Sequence, residues 1–211
     1  DSNVNVIVLL GEGKHFSAGH DLGSPEELEH RKEHPIADGT RGMFERSWRL
    51  YVDMHLRWRN VPKPMICAVQ GYCIFGGWMV ASTADVIFAS EDALFLGAAF
   101  QYFSIPYDIH PRKVKELLFE SRFIDAHQAE QFGLVNRVVP DDRVESCVAE
   151  YAKIITANAP LTVGAVKAIV GEVLKHQDAR DLAKCEELVR RCFASRDYAE
   201  GRQAFLEKRE P

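Results

Sequence analysis

Pro62-Lys63-Pro64-Met65-Ile66-Cys67-Ala68-Val69-Gln70-Gly71-Tyr72-Cys73-Ile74-Phe75-Gly76-Gly77-Trp78 is the stretch whose reading decides the architecture of this chain. Pro62 and Pro64 punctuate the polypeptide. Met65–Val69 is a short apolar run without polar alternation, the pattern of a strand covered on both faces. Gly71–Gly77 reads as a turn, and Gly77–Thr83 opens a helix of small and apolar residues. A strand, a glycine turn and a helix in that order leave the first helical N–H groups without intrahelical partners. The helix dipole adds partial positive charge at that end, and glycine lets a ligand atom approach the backbone. Together these make a seat for a negatively charged oxygen. Paired glycines also end many strands without marking a site, so the motif does not identify one by itself.

Upstream, Val4–Leu10 is a β-branched run bounded by Gly11 and Gly13 and reads as a buried strand. Phe16–Leu22 (F-S-A-G-H-D-L) is a second glycine-containing turn. Ser24-Pro25-Glu26-Glu27 starts a charged helix to Glu33, His34–Gly42 is a loop, and Met43–Trp58 is helical and rich in aromatic residues. Downstream, Asp85–Ala89 is a third strand, and Leu94–Phe103 shows no single periodicity. Pro111–Ser121 is an amphipathic helix with Arg112, Lys113 and Lys115 on its exposed side. Asp125–Phe132 is a helix stopped by Gly133, and Leu134–Val139 is a short strand. From Asp141 onward the pattern is almost continuously helical, with breaks near Pro160 and Gly171. Strands alternating with helices imply an α/β core with parallel pairing. The boundary is expected near Pro140, with residues 1–140 as the α/β core and 141–211 as a helical region.

The 211 residues are 46% hydrophobic and 27% charged, enough for a core that needs no disulfide or metal. The net charge of −5 argues against a nucleic-acid partner, which selects a basic face. Five scattered cysteines include no C-x-x-C pair, which argues against zinc and for reduced, mostly buried thiols in a cytoplasmic compartment. No apolar run is long enough to span a bilayer, and no signal peptide is visible, so no membrane partner is expected. The chain enters a strand directly after Asp1-Ser2-Asn3, so an N-terminal part is expected to be missing.

Four motifs carry a resemblance. They are F-S-A-G-H-D-L, then P-K-P-M-I-C-A-V-Q-G-Y-C-I-F-G-G, then A-E-Q-F-G-L-V-N-R-V-V-P, then A-F-L-E-K-R, in that order and covering nearly the whole chain. Together they resemble the crotonase (enoyl-CoA hydratase/isomerase) superfamily. The resemblance implies a spiral of strand-strand-helix units with a C-terminal helical layer that builds homotrimers or hexamers. It implies a lyase whose substrate is an acyl-CoA thioester, with no cofactor beyond the coenzyme A carried by that substrate. It also assigns the two N–H donors of an oxyanion hole to Ala18 and Gly76. Ala18, Gly19, His20 and Asp21 would line the coenzyme A path, and Phe205 and Lys208 would surround the nucleotide. Lys208 suits phosphate as a point charge, although a lysine on a terminal helix is also commonly just solvated.

The chain departs from the two-glutamate pattern of the hydratases. Met79 and Ala99 stand where the resemblance places the two carboxylates, and neither can move a proton. Asp108 is the first substitute, aligning with a Glu of one hydratase-like branch. A free aspartate has a pKa of ~3.9, which burial beside Tyr107, Phe103 and Trp78 would raise. Asp108 reads equally as a helix cap before Pro111. His20 with Tyr107 is the second substitute, because S-A-G-H-D and Ile105-Pro106-Tyr107-Asp108 resemble the methylmalonyl-CoA decarboxylase branch. His20 also reads as a residue capping its own turn. Three activities therefore stand side by side: an enoyl-CoA hydratase or isomerase, an acyl-CoA decarboxylase, and a non-catalytic acyl-CoA scaffold.

Overall fold

A computed structural model describes residues 3–21, 23–36, 39–97 and 109–211. The described chain divides into two compact units. One comprises Val8–Val61 and Met65–Val148. The other comprises Ala149–Pro211 with the short stretches ending at Ile7 and Pro64.

The first unit is built from two small sheets. One has the order β1 (Ile7–Leu10), β2 (Met65–Val69), β4 (Val86–Ser90), β7 (Arg137–Val139). The other has the order β3 (Tyr72–Ile74), β5 (Leu94–Leu96), β6 (Ile124–Asp125). The pairs β2–β4, β4–β7 and β3–β5 are parallel, and β5–β6 is antiparallel. All of β2 is buried, as its unbroken apolar run requires. β1 is a correction: among the described residues it lies at the edge of its sheet, its exposure alternates, and Val8 and Leu10 remain exposed. An edge strand has only one covered neighbour, so a β-branched run there does not ensure burial.

Strand β2 leaves the first sheet at Val69 and enters the second at Tyr72. The link needs Gly71, whose φ is +54° and whose missing Cβ would sit 2.4 Å from His15 Nδ1. Helix α4 (Gly76–Ala81) follows at once. The chain repeats this strand–strand step from β4 to β5, and Leu94 N–H donates to Gly71 C=O at 2.9 Å where the two links touch. Upstream the same relation is reduced to a single residue. β1 lies beside β2, and Ser17 forms an isolated parallel bridge to Cys73 of β3. The repeat accounts for the packing, because each step places one side chain set between the sheets. Cys67, Val69, Cys73, Trp78, Phe95 and Ile124 meet there, with Trp78 edge-on to Phe95 at 5.7 Å.

Helix α1 (Pro25–Glu33) begins as its sequence requires, with Ser24 Oγ accepting from Glu27 N–H at 3.1 Å. The aromatic helical stretch is three pieces: α2 (Gly39–Ser47), a π-helical turn (Trp48–Asp53) and α3 (Met54–Arg59). Helix α5 (Pro111–Glu120) is capped by His110, whose ring Nδ1 accepts from Arg112 N–H. Arg112 and Lys115 are exposed, but Lys113 is half-buried over the Phe132 ring at 4.6 Å. Helix α6 (Ala126–Gln131) opens with a capping box between Asp125 and Gln128.

Helix α7 (Val144–Thr156) contains the division between the units. In the second unit, α8 (Pro160–Val173), α9 (Leu182–Phe193) and α10 (Arg196–Glu207) follow. The expected break near Gly171 is present: Gly171 lies in the last turn of α8, which ends at Val173. Helices α8 and α9 are tied through Glu172, whose carboxylate takes Lys175 at 2.7 Å, Lys184 at 3.2 Å and Asp181 N–H at 3.2 Å. Those three donors hold Glu172 at a pKa of about 2, Lys175 contributing most.

Candidate functional site

The two glycine turns lie against each other, laced by backbone hydrogen bonds. Phe16 N–H donates to Gln70 C=O at 2.8 Å, Ser17 N–H to Tyr72 C=O at 2.9 Å, and Ile74 N–H to Ser17 C=O at 3.0 Å. The Gln70 side-chain amide reaches back to Gly11 C=O at 2.7 Å and Gly13 C=O at 3.1 Å. A Cβ at Gly77 would stand 2.4 Å from Ser17 Cβ, so the helix start can touch the first turn only because residue 77 has no side chain.

This lacing engages the N–H and C=O of Ser17 and the N–H of Ile74. Ala18 is exposed, and among the described residues its N–H has no partner. Gly76 is half-buried and opens α4, so its N–H has no intrahelical acceptor. Phe75, just before it, has φ +46° and ψ −106°, a backbone conformation that side chains rarely adopt. Its own N–H is held by Leu96 C=O at 2.8 Å. A bulky residue in such a conformation costs of order 1–3 kcal/mol and persists only where its surroundings impose it.

His20 projects across the gap. Its Cε1 lies 3.1 Å from the place of a Gly76 Cβ, and its ring meets Tyr51 at 4.6 Å between centroids. Gly19 has φ +101°, and its N–H donates to Ser17 Oγ at 3.3 Å. Asp21 is engaged in its own loop. Its carboxylate accepts from the N–H groups of Gly23 and Ser24 and from the Ser24 hydroxyl. The Ser24 hydroxyl, more than any other contact, lowers its pKa. The loop-capping role considered for His20 therefore falls to Asp21.

Met79 is buried on α4, so the position expected for a glutamate carries an apolar thioether within the core. Asp108, Tyr107 and Ala99 lie outside the described residues. Phe205 and Lys208 belong to the second unit, at the end of α10. Phe205 is 83% exposed and borders a hollow of about 420 Å³ with Tyr198, Gly201 and Arg202. Lys208 ends α10 in the left-handed conformation at φ +54°. Among the described residues no cluster of His, Cys, Asp and Glu could hold a metal ion. No single described helix is long and apolar enough to cross a bilayer.

Ser17, Tyr51 and Phe75 escape a reading of the residues alone. Tyr51 follows Phe44 and Trp48 at near-helical spacing and precedes His55 and Trp58, a pattern that reads as a packed stripe. The π turn that redirects it leaves no compositional mark.

Comparison with known proteins places this geometry in context. A family described as "Enoyl-CoA hydratase/isomerase" matches residues 1–211. EchA13 of Mycobacterium tuberculosis is 33% identical over 193 residues, covering 82% of this chain; the chain spans only 61% of that protein. A carnitinyl-CoA dehydratase of Citrobacter koseri is 31% identical over 229 residues, covering 100% of this chain and 82% of that protein. The crystal structure of an enoyl-CoA hydratase/carnithine racemase from Magnetospirillum magneticum superposes with a TM-score of 0.81 at 28% identity, covering 100% of this chain and 79% of that one.

Proposed function

This chain belongs to the enoyl-CoA hydratase/isomerase family and has the crotonase fold, and from that premise we propose an enoyl-CoA hydratase-like lyase that binds an acyl-CoA thioester. The N–H groups of Ala18 and Gly76 hold the thioester oxygen and stabilise the enolate formed from it. The observation that carries this reading is the Ser17 clamp. Its bonds to Tyr72 and Ile74 bring the two turns side by side, and among the described residues the N–H groups of Ala18 and Gly76 have no partner. A donor aimed at a developing oxyanion contributes about 3 kcal/mol, or 10²–10³ in turnover. Phe205 and Lys208 serve the nucleotide, and Asp108 supplies the proton for hydration or double-bond isomerisation.

The test is a titration with acetoacetyl-CoA followed by turnover of crotonyl-CoA, read as loss of the conjugated thioester's ultraviolet absorbance. Ala18→Pro deletes one donor. Ser17 is already extended by its bridge to Cys73, so a following proline suits its backbone. The expected outcome is a turnover loss of about 10²–10³ with little change in ester binding. Asp108→Ala should abolish hydration as well. Equal turnover in Ala18→Pro and the parent would sink the reading.

A second reading is favoured by the position of His20 against Gly76. A decarboxylase needs an oxyanion hole and a group that orients the departing carboxylate, with no added base. The C–C bond to the carboxylate breaks, its electron pair becomes the enolate, and carbon dioxide leaves. CO₂ release from methylmalonyl-CoA, lost in His20→Ala and retained in Asp108→Ala, would select it. Ester binding without turnover of either substrate would leave a non-catalytic acyl-CoA scaffold.

The second unit is read as the assembly layer of a homotrimer or hexamer. Leu182, Phe193 and Leu206 are each at least 60% exposed, apolar surface that a neighbouring subunit would cover. Sedimentation equilibrium of the protein tests this.

A further inference from the structure

Among the described residues the group facing Gly76 has few contacts. His20 is exposed and makes no hydrogen bond among the described residues. Its ring contact is Tyr51, at 4.6 Å and tilted 56°. Tyr51 sits in the π-helical turn, where Met54 N–H reaches back to Arg49 C=O, one residue further than in an α-helix. The extra residue rotates every side chain beyond it by about 100° relative to a continuous α-helix. The turn is also anchored. Tyr51 C=O accepts from the His55 ring Nδ1 at 2.9 Å, and His55 is buried at 2% exposure. Burial lowers the His55 pKa, which keeps this ring neutral as a one-proton donor.

We propose that Tyr51 is a positioning residue: its ring fixes the His20 imidazole beside Gly76, so that the imidazole meets the acyl group of a thioester held at the two turns. This inference rests on the acyl-CoA reading above. It requires the face and bulk of the Tyr51 ring, not its hydroxyl.

The experiment compares Tyr51→Phe and Tyr51→Leu in the whole chain. The ligand-free protein is examined first, by the proton resonance of His20 Cε1, assigned through its loss in His20→Gln. The Tyr51 ring current displaces that resonance. Tyr51→Phe should keep the displacement, and Tyr51→Leu should move the resonance towards that of a solvated histidine. Turnover of the accepted ester should fall by about 10²-fold in Tyr51→Leu, with ester affinity within two-fold and recovery in Tyr51→Phe. An unmoved resonance in Tyr51→Leu overturns the proposal. So does a loss in Tyr51→Phe equal to that in Tyr51→Leu, which would assign the role to the hydroxyl. The resonance is read without substrate. Failure of the parent protein to bind acetoacetyl-CoA would therefore count against the functional reading alone.

Discussion

The two units of this chain hold themselves together by different means. In the α/β unit the strands carry the burial: Ile66, Cys67, Ala68, Val69, Cys73 and Phe95 are all at 0% exposure. In the helical unit, α9 has no buried residue, while Leu182 and Phe193 stand 68% and 60% exposed. What is buried there includes a charge, Glu172, satisfied by two lysines and a backbone N–H. The difference teaches that a pair of sheets joined by short links closes its own core. A layer of short helices instead leaves apolar faces open and relies on polar ties to set its geometry.

The comparison is most sharply tested where the two glycine turns of the α/β unit touch. Gly77→Val places atoms where Ser17 already stands 2.4 Å from a bare Cβ. Overpacking should cost about 3 kcal/mol in urea unfolding, and ester binding should weaken with it as the turns part. A cost under about 0.5 kcal/mol would show that the two turns are not rigidly apposed.

Acid should separate the units next. His55 has its folded pKa lowered from 6.5, chiefly by burial. The unfolded chain therefore binds the proton more readily, and stability is lost as pH falls through and below 6.5. Glu172 is lowered from 4.5 to about 2, so its contribution persists above pH 4.5 and is lost only as pH falls from there towards 2. Amide exchange followed through an acid titration should thus loosen the turn around Tyr51 before the junction of α8 and α9. His55→Gln should remove the earlier phase, and Glu172→Gln the later one.

The smallest effect is expected on the open face of the helical unit. Phe193→Ser should change the unfolding free energy of an isolated subunit by about 0.5 kcal/mol or less. It should nevertheless shift the sedimentation of the protein towards smaller species. A monomeric parent protein, indifferent to the substitution, would break the contrast drawn between the units.

Much of the fold could be read in advance because it rests on local rules. The unbroken apolar run Met65–Val69, the helix start at Ser24 and the stop at Gly133, with φ +80°, all act within a few residues. Ala18 and Gly76 were assigned as donors by the family resemblance, not by the spacing of the glycine turns. Other features were not legible. Val4–Leu10 has the composition of a buried strand, yet exposure depends on which strand lies beside it. The site's aromatic prop was hidden for the same reason, since a single extra residue per turn changes the direction of Tyr51 without changing any letter.

The order of residues alone determined an alternating α/β chain with two glycine turns; that Met79 stands where a hydratase glutamate is expected follows from the family resemblance. Only the tertiary structure decided that Ser17 bridges Cys73, that Gly77 touches Ser17, and that His20 lies between Gly76 and Tyr51. Caps, strands and turns follow from interactions between near neighbours in the chain. Contacts between residues some thirty to sixty positions apart depend on how the sheets cross, and no local spacing encodes that.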